Sequence, residues 1–150
     1  MELTKAIIFD WGRTLHDPET DSLFEGVSEL LKDLSSKYVL ALVTLAKSEP
    51  PEVRKKKIEE SGVSQYFKLI LAGGDDKDEM YEQVLVDLAL DPSEIAIVDD
   101  RTVRGIAWGN RKGLFTIWLQ KGKFASELPS AETGMPSQMI QDIGDLRKIL

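Results

Sequence analysis

Five short, mainly apolar runs, separated by stretches of helical periodicity, limit what this 150-residue chain can fold into. The runs are Ala6–Trp11, Tyr38–Ala46, Phe67–Ala72, Ile95–Val98 and Phe115–Leu119. Apolar runs of this length, bounded by turn residues, read as strands buried on both faces. Between them, Ser22–Lys37 places Val27, Leu30, Leu31 and Leu34 at helical spacing, with Glu29, Lys32 and Asp33 facing outward. Pro50 and Pro51 open a second helix that ends at Ser61 and Gly62. Asp75–Leu90 repeats the pattern through Tyr81, Val84, Leu85 and Leu88, and a fourth helix runs through Ile106 to about Lys112, stopped by Gly113. Strand, helix, strand order of this kind predicts a three-layer α/β/α fold. Its mainly parallel sheet has about five or six strands, joined by right-handed crossovers.

The remaining segments are less patterned. Arg13–Asp21 reads as a polar loop and Lys121–Pro136 as another. Gln138–Gln141 is a candidate last strand, and Asp145–Leu150 puts Leu146, Ile149 and Leu150 on one helical face. With 42% hydrophobic and 30% charged residues the chain reads as one globular domain over residues 1–150, without repeat or linker. A net charge of −7 argues against a protein that tracks a nucleic-acid backbone, which needs a basic face. The absence of cysteine excludes disulfides, zinc ribbons and thiol chemistry. The first residues, MELTKAIIFDWG, carry a short apolar run of strand length and no signal-peptide core or spanning helix, so a cytoplasmic, membrane-free protein is expected.

The chemistry gathers at strand ends. The first run stops on Asp10, and a carboxylate there is costly to dehydrate unless a metal, a cation or a ligand compensates it. The carboxyl edge of an open α/β sheet is also where ligands bind. A turn-capping role is the alternative, but Gly12 and Thr14 add a flexible loop and a hydroxyl beside Asp10. Thr44 lies near the C-terminal end of the second run and is expected level with Asp10. Lys77 lies in the first turn of a helix, where a cation is disfavoured. It either pairs with an anion beyond the helix or is neutralised by Asp75, Asp76, Asp78 and Glu79. The fourth run ends on Asp99 and Asp100. Parallel topology collects Asp10, Thr44 and one of these acids in one crevice, within reach of Lys77. Two carboxylates from different strands suit magnesium, with a substrate phosphate completing its shell. A hydroxyl and a lysine suit phosphate oxygens. The matching reaction class is phosphoryl transfer through an aspartyl-phosphate. Arg54, Lys55, Lys56 and Lys57 form a basic run, but Glu52, Glu59 and Glu60 surround it, and a solvated helix face is expected.

These motifs together resemble the haloacid dehalogenase-like superfamily over essentially the whole chain. FDWGRTL matches its first motif through Asp10, Thr14 and Leu15; LALVT matches the second through Thr44; Lys77 matches the third. IVDDRTVRGI matches the fourth in part, with Asp100 on the metal-binding acid and Asp99 in place of a customary glycine. The resemblance implies a Rossmann-like core in which Asp10 is the nucleophile and a Mg2+ ligand. It also implies that the Gly12 carbonyl and Asp100 complete the protein's share of the metal shell. Thr44 and Lys77 are the implied phosphoryl-holding catalytic residues. The segments between motifs leave no room for the cap domain many members insert. Open members act on large substrates or borrow a neighbouring subunit as lid, so the expected partners are a phosphorylated small molecule or protein, and a homo-oligomer fits.

Two acids of the family pattern are missing. The phosphatases carry a second aspartate two residues after the nucleophile, where this chain has Gly12. General acid–base help of that kind contributes about a hundredfold to ten-thousandfold. The later acid of the fourth motif would fall near Arg104 or Gly105. The family's dehalogenases and phosphonoacetaldehyde hydrolases manage without the second aspartate, yet they rely on cap residues. Arg13, Arg101 and Arg104 add positive charge, either to bind an anionic substrate or to pair with Asp99 and neighbouring acids. His16, the single histidine, is either a stand-in acid–base or an exposed loop residue. Three functions stay open: a magnesium-dependent phosphatase, a catalytically silent module binding a phosphorylated ligand or a protein, and a hydrolase of non-phosphate substrates.

Overall fold

The computed structural model describes residues 3–150. Six strands form one sheet: β1 (Ala6–Phe9), β4 (Val39–Leu45), β5 (Leu69–Gly73), β6 (Ile95–Asp99), β7 (Phe115–Leu119) and β8 (Gln138–Ile140), in the order β5-β4-β1-β6-β7-β8. Every neighbouring pair is parallel. The chain runs outward from β1 to β5, then returns to the other side of β1 and runs outward again to β8. The switch point is therefore between β1 and β6, where an open α/β sheet offers a crevice at its carboxyl edge.

Alternation along β1 sorts the core into two layers. Ile7 and Phe9 pack with Leu30, Leu31 and Leu34 of α1 (Val27–Ser35), Ile58 of α2 (Pro51–Glu60) and Leu146 of α5 (Leu146–Ile149). Ala6 and Ile8 face the other side, with Tyr81 and Val84 of α3 (Lys77–Leu88) and Trp108 of α4 (Ala107–Lys112). The period of two along a strand and the three- and four-residue spacing along α1 and α3 produce these layers.

Boundaries moved where single residues impose a backbone conformation. The first helix starts at Val27 rather than Ser22, because Gly26 before it is left-handed at φ 82°. Ser22–Leu23 instead forms strand β3, paired antiparallel with β2 (His16–Asp17) inside the segment expected to be a loop. The third helix begins at Lys77 because the Asp76 side chain accepts from the Asp78 N–H at 2.9 Å, capping the N-terminus. Ala89, at φ 54°, ends it before Leu90. Between β6 and α4, residues Thr102–Ile106 make a π-helical turn, a wider coil that recurs at functional sites. Between Asp10 and Thr44 the chain holds only the β2–β3 hairpin, α1 and β4 itself.

Candidate active site

The parallel register carries the strand-end residues to one edge. Phe9 lies opposite Leu42 on one side and Val98 on the other, which sets Asp10 beside Asp99 and puts Thr44 one residue beyond Asp10. A cavity of about 260 Å3 opens here, and Asp10, Gly12, Arg13, Thr44, Asp100 and Arg101 all line it. Lys77, the first residue of α3, enters from the far side of β4: its Nζ donates to Asp10 Oδ1 at 2.6 Å and lies 3.8 Å from Asp99 Oδ2. Its pairing with an anion beyond its own helix is thus the observed arrangement, and the neighbouring acids of its first turn do not supply it. Every residue of the expected site converges on this crevice.

The crevice holds several charges out of water. Asp99, Asp100, Thr14 and Thr44 are at most 1% exposed, and Lys77 is 6% exposed. Burial works against the Lys77 ammonium, but Asp10 and Asp99 outweigh it and hold its pKa well above the ordinary lysine range. The Asp100 carboxyl is pushed up to about 9, first by burial and then by the negative charges of Asp10 and Asp99. Asp99 is also raised by burial, against the pull of Lys77.

The two adjacent acids differ in what they hold. Asp99 Oδ1 accepts from the Arg101 N–H at 3.1 Å, and Oδ2 accepts from the Gly105 N–H at 2.8 Å, so its carboxylate is committed to the π-turn and to Lys77. A side chain at 105 has no room: a Cβ there would lie 2.5 Å from Asp99 Oδ2. Asp100 Oδ1 is 3.5 Å from the Thr14 hydroxyl, which also lies 3.2 Å from Asp10 Oδ2, while Asp100 Oδ2 is buried without any hydrogen-bond partner. A buried carboxylate oxygen with nothing to accept from is costly. One oxygen each of Asp10, Asp99 and Asp100 fall within 4.8 Å of one another. Hard oxygen donors at that spacing, with one left bare, fit a divalent cation such as magnesium.

Three residues of the site escaped the sequence reading. Arg54 does not belong to a solvated basic face: its Nη1 donates to the Thr44 hydroxyl at 2.6 Å and its Nε to Glu49 at 2.7 Å, and it lines the cavity. The spacing held a signal, since Arg54 is four residues before Ile58, the buried residue of α2. Accepting from Arg54 leaves the Thr44 hydroxyl proton free to donate to an anion. Phe124 and Glu127 come from the long loop after β7. The Arg101 guanidinium stacks 3.9 Å over the Phe124 ring and donates through Nε to Glu127 at 3.0 Å. Glu127 also accepts from the Thr102 hydroxyl at 3.1 Å. Arg101 is therefore paired with Glu127 rather than with Asp99, which it meets only through its backbone. His16 is neither exposed nor in the crevice. Its ring stacks on Trp11 with centroids 5.2 Å apart, and its Nε2 pairs with Asp21 at 3.0 Å.

Among the described residues no helix is long and apolar enough to cross a membrane. Comparison with known proteins agrees with the geometry. Over 99% of its length the chain is 26% identical to N-acylneuraminate-9-phosphatase from Rattus norvegicus, and it spans 59% of that curated relative. It shares its fold with an uncharacterized protein from Listeria monocytogenes serotype 4b, at a TM-score of 0.78 and 21% identity, covering 97% of this chain and 96% of that one. It shares the fold also with the protein YfnB from Bacillus subtilis bound to magnesium, at a TM-score of 0.70 and 22% identity, covering 85% of this chain and 55% of that one. The model of haloacid dehalogenase-like hydrolases matches residues 2–119. That span contains β1, β4, α3 and β6 with Asp10, Thr44, Lys77 and Asp100, while Phe124 and Glu127 lie beyond it, and the chain belongs to the haloacid dehalogenase-like hydrolase family.

Proposed function

We propose that the protein is a magnesium-dependent phosphatase-type hydrolase that works through an aspartyl-phosphate on Asp10. The observation that carries this reading is the state of the two facing acids. Asp10 is held by Lys77 and Thr14, and beside it Asp100 Oδ2 is buried and bare. Asp10, Asp100 and the Gly12 carbonyl are the groups that would hold magnesium, which when bound would neutralise charge on a phosphoryl group. Lys77 is kept cationic by its two aspartates and, with the Thr44 hydroxyl, binds phosphoryl oxygens. An Asp10 oxygen attacks phosphorus, the bond to the leaving oxygen breaks, and water then cleaves the acyl phosphate to return Asp10. With glycine at position 12, no side chain there protonates the leaving oxygen, so solvent supplies that proton and turnover is slow. The mammalian relative is a phosphatase by name, which supports the same reaction class. Substrates are placed among phosphorylated compounds, with a homo-oligomer supplying cover where the crevice is open.

A screen of phosphomonoesters with and without magnesium tests the reading. Activity should require the metal and fall at least a hundredfold in Asp10→Asn, as expected when a covalent nucleophile is removed. Turnover indifferent to that substitution would overturn it. Turnover of non-phosphate substrates that survives chelation would favour the dehalogenase-like alternative.

A further inference from the structure

Four arginines, at positions 13, 54, 101 and 104, line the cavity that holds Asp10 and Asp100. The chain has 19 basic against 26 acidic side chains, so this gathering of guanidinium groups runs against its overall charge. Two of them are neutralised, Arg54 by Glu49 and Arg101 by Glu127. The other two are not. Arg104 is half-buried and its guanidinium has no ion pair or hydrogen bond among the described residues. Arg13 is half-buried too; among the described residues its guanidinium has no ion pair or hydrogen bond, and it lies 6.0 Å from the Phe124 ring centroid. The Arg13 backbone is left-handed, at φ 65°, a conformation that costs a non-glycine residue free energy. It is retained in the turn that follows the nucleophile, where the Arg13 N–H donates to the His16 carbonyl at 2.7 Å.

Lys77 and Thr44 already serve one phosphoryl group. Two further half-buried cations without carboxylates exceed what a single phosphate needs, and keeping them from full solvation is unfavourable unless an anion arrives. We propose that the substrate is a small phosphomonoester carrying a second anionic group, a carboxylate or another phosphate, bound by Arg104 and Arg13 while its phosphoryl group faces Asp10. This rests on the phosphatase reading of the crevice. Both arginines open into the same space of about 260 Å3 as the nucleophile, which fits a metabolite of a few carbons between its two charged ends. Phe124 lines the same cavity, its ring centroid 3.9 Å from the Arg101 guanidinium and 6.0 Å from that of Arg13.

The test compares matched pairs: 3-phosphoglycerate with glycerol 3-phosphate, and fructose 1,6-bisphosphate with fructose 6-phosphate. Turnover is measured on the unmodified protein with magnesium, and Kd by calorimetry on Asp10→Asn. The member with the second anion should be favoured about tenfold or more in kcat/KM and Kd, the scale of one charge-assisted pair. Most of that preference should vanish in Arg104→Ala and part of it return in Arg104→Lys. The first pair reports a carboxylate, the second a phosphate. No preference in either pair, a preference unchanged in both Arg104→Ala and Arg13→Ala, or faster turnover of a phosphoserine peptide would overturn the proposal. If p-nitrophenyl phosphate is hydrolysed without any second-anion preference, the phosphatase reading survives and this one falls. If an Arg104-dependent binding preference is seen without turnover of any ester, the anion pocket stands and the phosphatase reading falls. Neither binding nor turnover would overturn both.

Discussion

Replacing Gly105 by alanine should damage the fold, chiefly by crowding Asp99. The added methyl would sit 2.5 Å from Asp99 Oδ2, 2.9 Å from Asp99 Cβ and 3.1 Å from the Tyr81 hydroxyl. Ordinary contact begins near 3.4 Å, so the carboxylate has to retreat by almost an ångström. It has nowhere to go without loss, because it is fully buried and holds the N–H groups of Arg101 and Gly105 and lies beside Lys77. Overpacking of a tight site costs about 1–3 kcal/mol, and a hydrogen bond to a charged group contributes roughly 1.5–3 kcal/mol. These costs overlap rather than add, and the expected loss is about 2–4 kcal/mol. Urea unfolding is the assay; with an m-value near 2 kcal/mol/M, the midpoint should fall by roughly 1–2 M. A double-mutant cycle isolates the cause. Removing the Asp99 side chain in the Gly105→Ala background should cost at least about 1 kcal/mol less than removing it alone. A loss for Gly105→Ala below about 0.5 kcal/mol, or strictly additive costs in the cycle, would refute the clash.

Two other perturbations address chemistry and charge. A Cβ at Gly12 meets nothing within 4 Å, so Gly12→Asp is sterically open; it should raise phosphatase turnover roughly a hundredfold, up to ten-thousandfold. No gain in a folded variant would mean that the site is deficient elsewhere than at position 12. The raised Asp100 carboxyl, at about 9, gives a pH dependence of definite sign in the metal-free protein. Between about pH 4, where an unfolded aspartate titrates, and pH 9 the native state keeps a proton that the unfolded state has released. Stability therefore falls as pH rises, by at most about 1.4 kcal/mol per unit for one group. Raised Asp99 acts in the same direction, whereas the depressed Glu49 and Glu94 act only below the ordinary carboxylate range. Melting in chelator should drop from pH 5.5 to pH 8, and magnesium should shrink the drop; a flat or rising Tm in chelator would contradict it.

Asp10, Thr44, Lys77 and Asp100 were legible in the chain because each lies at or near the end of an apolar run or opens the helix after one. Parallel topology then forces such ends to a common edge. Arg54, Phe124 and Glu127 were hidden for physical reasons. α2 buries only Ile58 and has no apolar stripe, so its inward face had to be found from one residue. The loop after β7 has no periodicity from which to read an orientation. The hairpin of β2 and β3 has two residues per strand, too few for alternation to register. Asp99 was visible as a strand-end acid, but its work, gripping the π-turn across Gly105, depends on a backbone that only the folded chain displays.

The switch point also divides the crevice by lifetime. Asp10 follows β1 and Asp100 follows β6, adjacent strands at the centre of the sheet, so parting them means breaking the middle of the ladder, which is the unfolding of the whole molecule. Arg54 rides on a helix anchored by one buried side chain, and Phe124 and Glu127 lie on an irregular connection. These can detach and return while the sheet stays intact. The acids thus persist as long as the fold does, whereas the partners of Thr44 and Arg101 sit on the parts of the molecule that open most easily.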